Sequence, residues 1–420
     1  MTNHLPIKSF LTYSLGAIIL RLIMALSVFA TIKFIEPAEF GALALLNNLT
    51  IFIPIILGLG LRQVLAIEFF KHQHSWSLVW ELSLIYLIFA IPTGTLLIFN
   101  LKLLNSVLFA NQVNSYLLLL VIATSLLNFF PELLFQLLRF QKKAFELALL
   151  QVMLGLLLAC LTIYLLYFSN LGATSVLLAQ LISQFVASCY FVYLLVQHQQ
   201  DFRIPGALQI IKYLKIGLPF IPNIILAWLI LACNRWLLSW QLDLTQVGIY
   251  SVSENISLIF QTIITQPLMH SFLPYAFDNF AQNTNHIAKI DAEYQRFTVY
   301  FLICFAGLIP LVFVLCKPIL CLFLPAKYLQ AMPLILPLLI AQLIFASTYI
   351  SSASLQYLKK TNILVLFMAA SALIAILINL WLIPTYQAYS CLIATNCAYL
   401  SYLIAIWLFK KLSFFKSNLR

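Results

Sequence analysis

Three arginines interrupt stretches that are otherwise apolar: Arg21 in YSLGAIILRLIMALSVF, Arg62 in LGLGLRQVLAIEFF and Arg235 in WLILACNRWLLSW. A guanidinium is a permanent cation whose planar fork of donors matches phosphate or carboxylate through two parallel hydrogen bonds. Near the centre of a bilayer such a charge costs about 2.5–3.5 kcal/mol on insertion scales, so it marks a substrate or ion path, or it pairs with another charge. One acid, Glu254, falls equally deep in an apolar stretch, where it serves either as counter-ion to a buried arginine or as a protonatable coupling site.

The elements that carry these residues follow from composition. With 63% hydrophobic residues, 8% charged residues and a mean hydropathy of +1.02, the chain is a polytopic membrane protein. No strict polar–apolar alternation of a membrane barrel is present, so the spans are helices of about 20 residues. Twelve segments are predicted, at about 9–32, 40–68, 78–99, 114–138, 145–168, 172–196, 212–240, 245–272, 295–316, 330–356, 361–383 and 388–409. Connections are short throughout, and the stretch KPILCLFLPAKY around 316–330 reads as a re-entrant or interfacial piece. The first segment is too long for a signal peptide and is read as an uncleaved span.

Charge distribution tests this division independently of apolarity. With a cytoplasmic amino terminus, sixteen of the 23 basic residues fall inside, three are the arginines of the spans, and only Lys33, Lys102, Lys317 and Lys327 fall outside. Both termini are therefore expected in the cytoplasm. The net charge of +11 is explained by this topology and by anionic lipid of the inner leaflet; nothing points to nucleic acid.

Two stretches repeat each other. EPAEFGALALLNNLTIFI at 36–53 aligns without gaps on DLTQVGIYSVSENISLIF at 243–260, pairing Glu36 with Asp243, Gly41 with Gly248 and Asn48 with Asn255. Each copy opens the second span of a six-span half, which predicts parallel repeats related by an axis along the membrane normal. The expected organisation is an amino-terminal six-helix bundle at 1–196, a hydrophilic cytoplasmic linker at 197–211 and a carboxy-terminal six-helix bundle at 212–420, around a central cavity. Pro54, Gly58, Gly60, Pro92, Pro131, Pro219, Pro222, Pro267, Pro310, Pro333 and Pro337 fall inside the spans, where kinks are compatible with rocking motions.

Depth separates the arginines. Arg21 lies about 12 residues into its span, roughly 18 Å deep, too far to reach the interface comfortably, and is expected to line a cavity. Arg62 is about one and a half turns from the cytoplasmic end, near Glu68 and Lys71, and reads as a snorkelling residue. Arg235 lies near the outer end between Trp236 and Trp240, where cavity and interface readings both stand. Asn48, Asn255, Gln180 and Gln184 are polar groups inside spans, read as interhelical hydrogen-bonding residues or sugar contacts. Glu81 and Glu132 fall closer to the cytoplasmic ends, within reach of water.

The eight cysteines lie in or at the ends of spans without a C-x-x-C pair and are read as packing residues; His72 and His74 are read as solvated loop residues. There is no D-x-D pair, phosphate-binding G-x-x-x-x-G-K-[ST] loop or H-E-x-x-H, and no large outer loop to hold catalytic residues, so no enzyme, cofactor or metal is expected.

The Leu-Gly-containing first span, FIEPAEFGALALL, LGLGLRQ, and especially YLKIGLPFIPNIILAWLILACNRWLLSWQLDLTQVGIYSVSENISLIFQ resemble the Wzx-type polysaccharide flippases of the MATE-like (MOP) exporter superfamily. The resemblance extends over all twelve spans, with its distinctive motifs at 9–70 and 212–277. Where that family often places an acid before the seventh-span arginine, this chain has Asn234, so the resemblance supplies no adjacent partner for Arg235. The resemblance implies translocation of an undecaprenyl-diphosphate-linked oligosaccharide, for O-antigen, capsule or a related glycan, to the outer leaflet of a bacterial inner membrane. It also implies a polysaccharide polymerase and a chain-length regulator as partners. Arg21, Arg62, Arg235, Glu254, Asn48, Asn255, Gln180 and Gln184 form the expected substrate-binding set. A cation-coupled small-molecule efflux antiporter on the same fold, with Glu254 as the coupling carboxylate, is the competing expectation.

Overall fold

The computed structural model describes residues 7–69, 75–141, 143–169, 171–267, 272–283, 286–358 and 360–417. Those residues form helices α1 (Ile7–Phe34), α2 (Pro37–Leu57), α3 (Leu61–Glu68), α4 (Ser75–Phe99), α5 (Leu101–Phe109), α6 (Ser115–Phe140), α7 (Ala144–Ser169) and α8 (Ala173–Gln197). They continue with α9 (Ala207–Gly217), α10 (Ile221–Gln241), α11 (Leu244–Pro267), α12 (Leu273–Gln282), α13 (Ile287–Phe323), α14 (Met332–Tyr357), α15 (Thr361–Tyr386) and α16 (Ala388–Ser417). Among the described residues there is no strand. Helices satisfy every backbone group within the segment, which hydrocarbon demands.

Among the described residues, nine helices are long and apolar enough to cross a membrane, and α1, α10 and α11, of 28, 21 and 24 residues, occupy the three other predicted spans. Several boundaries differ from expectation. The second predicted span is broken: Leu59 and Gly60 adopt left-handed conformations, with φ of 47° and 70°, ending α2 and starting α3. The seventh is divided as α9, a 3-10 turn at Leu218–Phe220 and α10. The connection at 100–114, read as loop, contains α5, and the chain after the eighth span contains α12. The stretch read as re-entrant is the end of a 37-residue α13, then a 3-10 helix at Ala326–Ala331. Prolines 92, 131, 310 and 337 are accommodated inside continuous helices.

The chain divides into two compact units, one of Met1–Ile35 and Ala42–Leu231, the other of Glu36–Gly41 and Ala232–Arg420. In the first unit, α1 packs on α7, where Gly16 faces Ala148 and Gly155 faces Leu20. Helices α4, α6 and α8 enclose a core in which Tyr86 stacks on Phe129 with ring centroids 3.9 Å apart, and the Tyr86 hydroxyl donates to the Leu126 carbonyl at 2.8 Å. In the second unit α14 is central, packing against α11, α13 and α16, and α15 packs on α16.

The repeated sequence meets itself. A Cβ on Gly41 would lie 1.9 Å from the Leu244 carbonyl oxygen, and one on Gly248 would lie 1.9 Å from that of Pro37. The repeat pairs Gly41 with Gly248 and Pro37 with Leu244, so the close approach of α2 and α11 is reciprocal. Small residues let membrane helices approach this closely and gain dispersion contacts. Asp243 caps α11 by accepting the Gln246 amide at 2.8 Å, and its repeat equivalent Glu36 immediately precedes α2.

Gly41→Ala and Gly248→Ala should each force the two helices apart and destabilise the protein by about 1–3 kcal/mol. Thermal unfolding in detergent should show both with a lower Tm, whereas Gly307→Ala, with open space around its new methyl, should match the parent.

Candidate functional site

The polar residues inside these helices are mostly satisfied by one another. Arg235 on α10 points two donors, Nη2 at 2.6 Å and Nε at 2.8 Å, at Glu254 Oε2 on α11, with both side chains 12% exposed. Glu254 is thus the counter-ion of Arg235, supplied from the neighbouring helix in place of an adjacent acid.

Asn234 has a different role from that of an absent carboxylate. It is buried, and its Nδ2 donates to Tyr250 Oη at 2.8 Å and to Thr395 Oγ1 at 2.9 Å, while its Oδ1 accepts from Asn379 Nδ2 at 2.7 Å. One side chain therefore ties α10 to α11, α15 and α16. A carboxylate here could accept from Asn379 but could not donate to Tyr250 and Thr395 together, and it would place a second acid beside Glu254. Tyr250, Asn379 and Thr395 were not singled out from sequence; their signal was polarity inside apolar spans, which they share with residues that have no such role.

Arg62 sits on the short α3, pairing with Glu132 on α6 at 3.2 Å, its side chain 32% exposed. It does not pair with Glu68, the acid expected near it. Glu68 is buried and accepts from Lys212 on α9 at 3.0 Å. Glu81, expected within reach of water, is also buried: its Oε2 accepts from Tyr213 Oη at 2.7 Å and Gln209 Nε2 at 3.3 Å. Helix α9 is therefore fastened to α3 and α4 by two carboxylates, and a Cβ on Gly60 would lie 2.1 Å from the Gly217 carbonyl oxygen at its end.

Gln180 on α8 donates to Asn47 at 3.1 Å, and Trp228 Nε1 donates to the Asn48 carbonyl at 3.1 Å with its ring against Phe52. Gln184 lies one turn beyond Gln180, half-buried, as is Asn255 beside Glu254. Trp240 is exposed near the end of α10, consistent with an interface anchor, whereas Trp236 is half-buried.

Arg21 differs from all of these. It is near the midpoint of the 28-residue α1, exposed, between exposed Ile19 and Leu22, and it has no ion pair among the described residues. Among the three arginines, Arg235 is the most buried, Arg62 is about a third exposed and Arg21 is exposed.

Sequence reasoning missed a buried pair. Lys410, counted among the basic residues on the cytoplasmic side, is 0% exposed on α16 and contacts Asp291 Oδ1 on α13 at 2.6 Å; Asp291 is 1% exposed. Glu254 is thus not the only acid held deep among these helices. The ninth span was drawn from residue 295, which left Asp291 in a loop, and a basic residue at the end of the last span reads as positive-inside charge whether or not it is buried. Among the described residues, no cluster of His, Cys, Asp and Glu has metal-site geometry, and the eight cysteines form no disulfide. His72 and His74 lie outside the described residues.

The same fold occurs in solved transporters. The chain is similar to the lipid II flippase MurJ in an inward closed conformation, with a TM-score of 0.74 and 14% identity over 96% of this chain and 87% of that one. It is also similar to an inward-facing multidrug resistance MATE family transporter of the MOP superfamily, with a TM-score of 0.69 and 15% identity over 94% and 98% of the two chains. A MOP superfamily transporter from Pyrococcus furiosus aligns with a TM-score of 0.56 and 14% identity over 96% of each chain. No curated protein matches the sequence. The sequence model described as "Polysaccharide biosynthesis protein" matches residues 32–298, well over half of the chain, and with it the helical fold assigns this protein to the polysaccharide biosynthesis family, built on the fold of MOP-superfamily transporters.

Proposed function

We propose that this protein is a flippase that carries an undecaprenyl-diphosphate-linked oligosaccharide from the cytoplasmic to the outer leaflet of a bacterial inner membrane by alternating access. Arg21 carries this reading. Arg62 and Arg235 are already neutralised by Glu132 and Glu254, whereas the Arg21 guanidinium has no acid partner among the described residues, halfway along an apolar helix. A permanent cation in that position is costly against hydrocarbon and favourable against an anion crossing the membrane. A diphosphate headgroup supplies that anion, and guanidinium donors neutralise it while making bidentate hydrogen bonds. Membership of a polysaccharide biosynthesis family supports a glycan as the attached cargo. An inside-negative potential supplies about 2.3 kcal/mol per charge per 100 mV for outward movement of an anion.

The competing antiporter reading needs Glu254 as a coupling carboxylate. Two donors of Arg235 converge on its Oε2, which supports a role in holding α10 to α11 instead. The membrane orientation belongs to the same proposal: both termini face the cytoplasm. Lys327, placed outside by charge counting, forms an ion pair of 3.0 Å with Glu36 in the connection between the first two spans, whose Lys33 has the same placement. A polysaccharide polymerase and a chain-length regulator would act on the flipped product.

Arg21→Ala should abolish surface glycan in a host lacking its own copy, at unchanged membrane levels, and Arg21→Lys should restore part of it; normal display in Arg21→Ala would overturn the anion-handling role. Breaking one partner of a buried ion pair costs about 3–5 kcal/mol, while removing both is close to neutral. Glu254→Gln should therefore reduce the amount of folded protein, and Arg235→Gln with Glu254→Gln should restore both level and export. Level without export would place Arg235 in the substrate path. Cysteines at Lys142 and Lys359 should react with impermeant reagent only from the cytoplasm, and one at Lys102 only from outside.

A further inference from the structure

Helices α13 and α16 both pack on α14 and leave between them a cavity of about 460 Å³. Each contributes one stripe at helical spacing: Ala288, Asp291, Ala292 and Gln295 from α13, and Ile404, Trp407, Leu408 and Lys411 from α16. Asp291 of this lining is held by Lys410, which also donates to the Ser351 carbonyl of α14. Trp407 Nε1 donates to Ser351 Oγ at 3.1 Å, which fixes the indole against the same element. The outer walls are apolar and open, with Ile404 and Leu408 about half exposed.

The charges in this groove select its occupant. Both Asp291 oxygens are engaged within the protein, Oδ1 by Lys410 and Oδ2 by Gln295 Nε2 at 2.9 Å, so no free carboxylate remains to receive an ammonium group. Lys411 is exposed at the mouth and has no ion pair among the described residues. It lies at the end of the last apolar span, where a helix meets the headgroup region, beside an apolar wall that suits an acyl chain. We infer that this groove is a binding site for an anionic phospholipid of the cytoplasmic leaflet, its phosphate on Lys411 and one acyl chain along Ala292, Ile404 and Leu408. A zwitterionic headgroup gains the same phosphate contact but finds no partner for its cation, and free phosphate has no use for the apolar wall. The site stands on the groove and on the cytoplasmic placement of Lys411, whichever solute the protein carries.

Trp407 reports occupancy, because a brominated acyl chain in the groove quenches its fluorescence. The full-length protein is reconstituted in phosphatidylcholine vesicles containing either brominated phosphatidylglycerol or brominated phosphatidylcholine, and the Trp407 signal is taken as the difference from Trp407→Phe. Brominated phosphatidylglycerol should quench that signal several-fold more strongly, and Lys411→Gln should remove the preference. Equal quenching by the two lipids, or a preference that survives Lys411→Gln, would overturn the site. Displacement of brominated phosphatidylglycerol by an equal amount of undecaprenyl phosphate would also overturn it, assigning the groove to the polyprenyl lipid. The ratio of phosphatidylglycerol to phosphatidylcholine co-purifying with the parent and with Lys411→Gln gives the same reading without altering Trp407: a fall supports the site and no change refutes it.

Discussion

A charge in hydrocarbon has to be answered by another charge, and the arrangement of this protein follows from that requirement. Arg235 is answered by Glu254 and Lys410 by Asp291, each across two helices. Such a pair contributes little net stability over an apolar replacement, but half of it is strongly destabilising, so it fixes which helices are neighbours. Arg21 is the exception: it is exposed on an apolar helix and has no ion pair among the described residues, and the proposed anion-handling role rests on that.

Neutral polar groups extend the same logic. Asn234 both donates and accepts, so it can bind a tyrosine, a threonine and a second asparagine from three helices at once. An acid at that position would bring charge without the donors. The charge partner of Arg235 comes from α11.

The glycines act by allowing contact. Gly41 and Gly248 bring the amino-terminal ends of α2 and α11 to backbone contact, while Gly60 and Gly217 do so for the turn after α2 and the end of α9. With α9 also held through Glu68 and Glu81, the break at Leu218–Phe220 separates a tightly fastened helix from α10, which carries Asn234 and Arg235.

Apolarity accumulates along a chain, so the membrane environment and the approximate positions of the apolar helices could be read from residue order alone. The repeat that places Gly41 opposite Gly248 was equally legible, because it lies in the order of residues. Partner choice was not. Glu68 lies closer to Arg62 in sequence than Glu132 does, yet six residues apart on the one helix α3 the two face different neighbours, and each finds a different partner. Lys410 and Asp291 are 119 residues apart, and nothing in either stretch marks them as partners; both are buried, with Lys410 also donating to the Ser351 carbonyl of α14. Pairing is decided at separations near 3 Å by which helix faces meet, and that depends on all the helices together rather than on any one stretch of sequence.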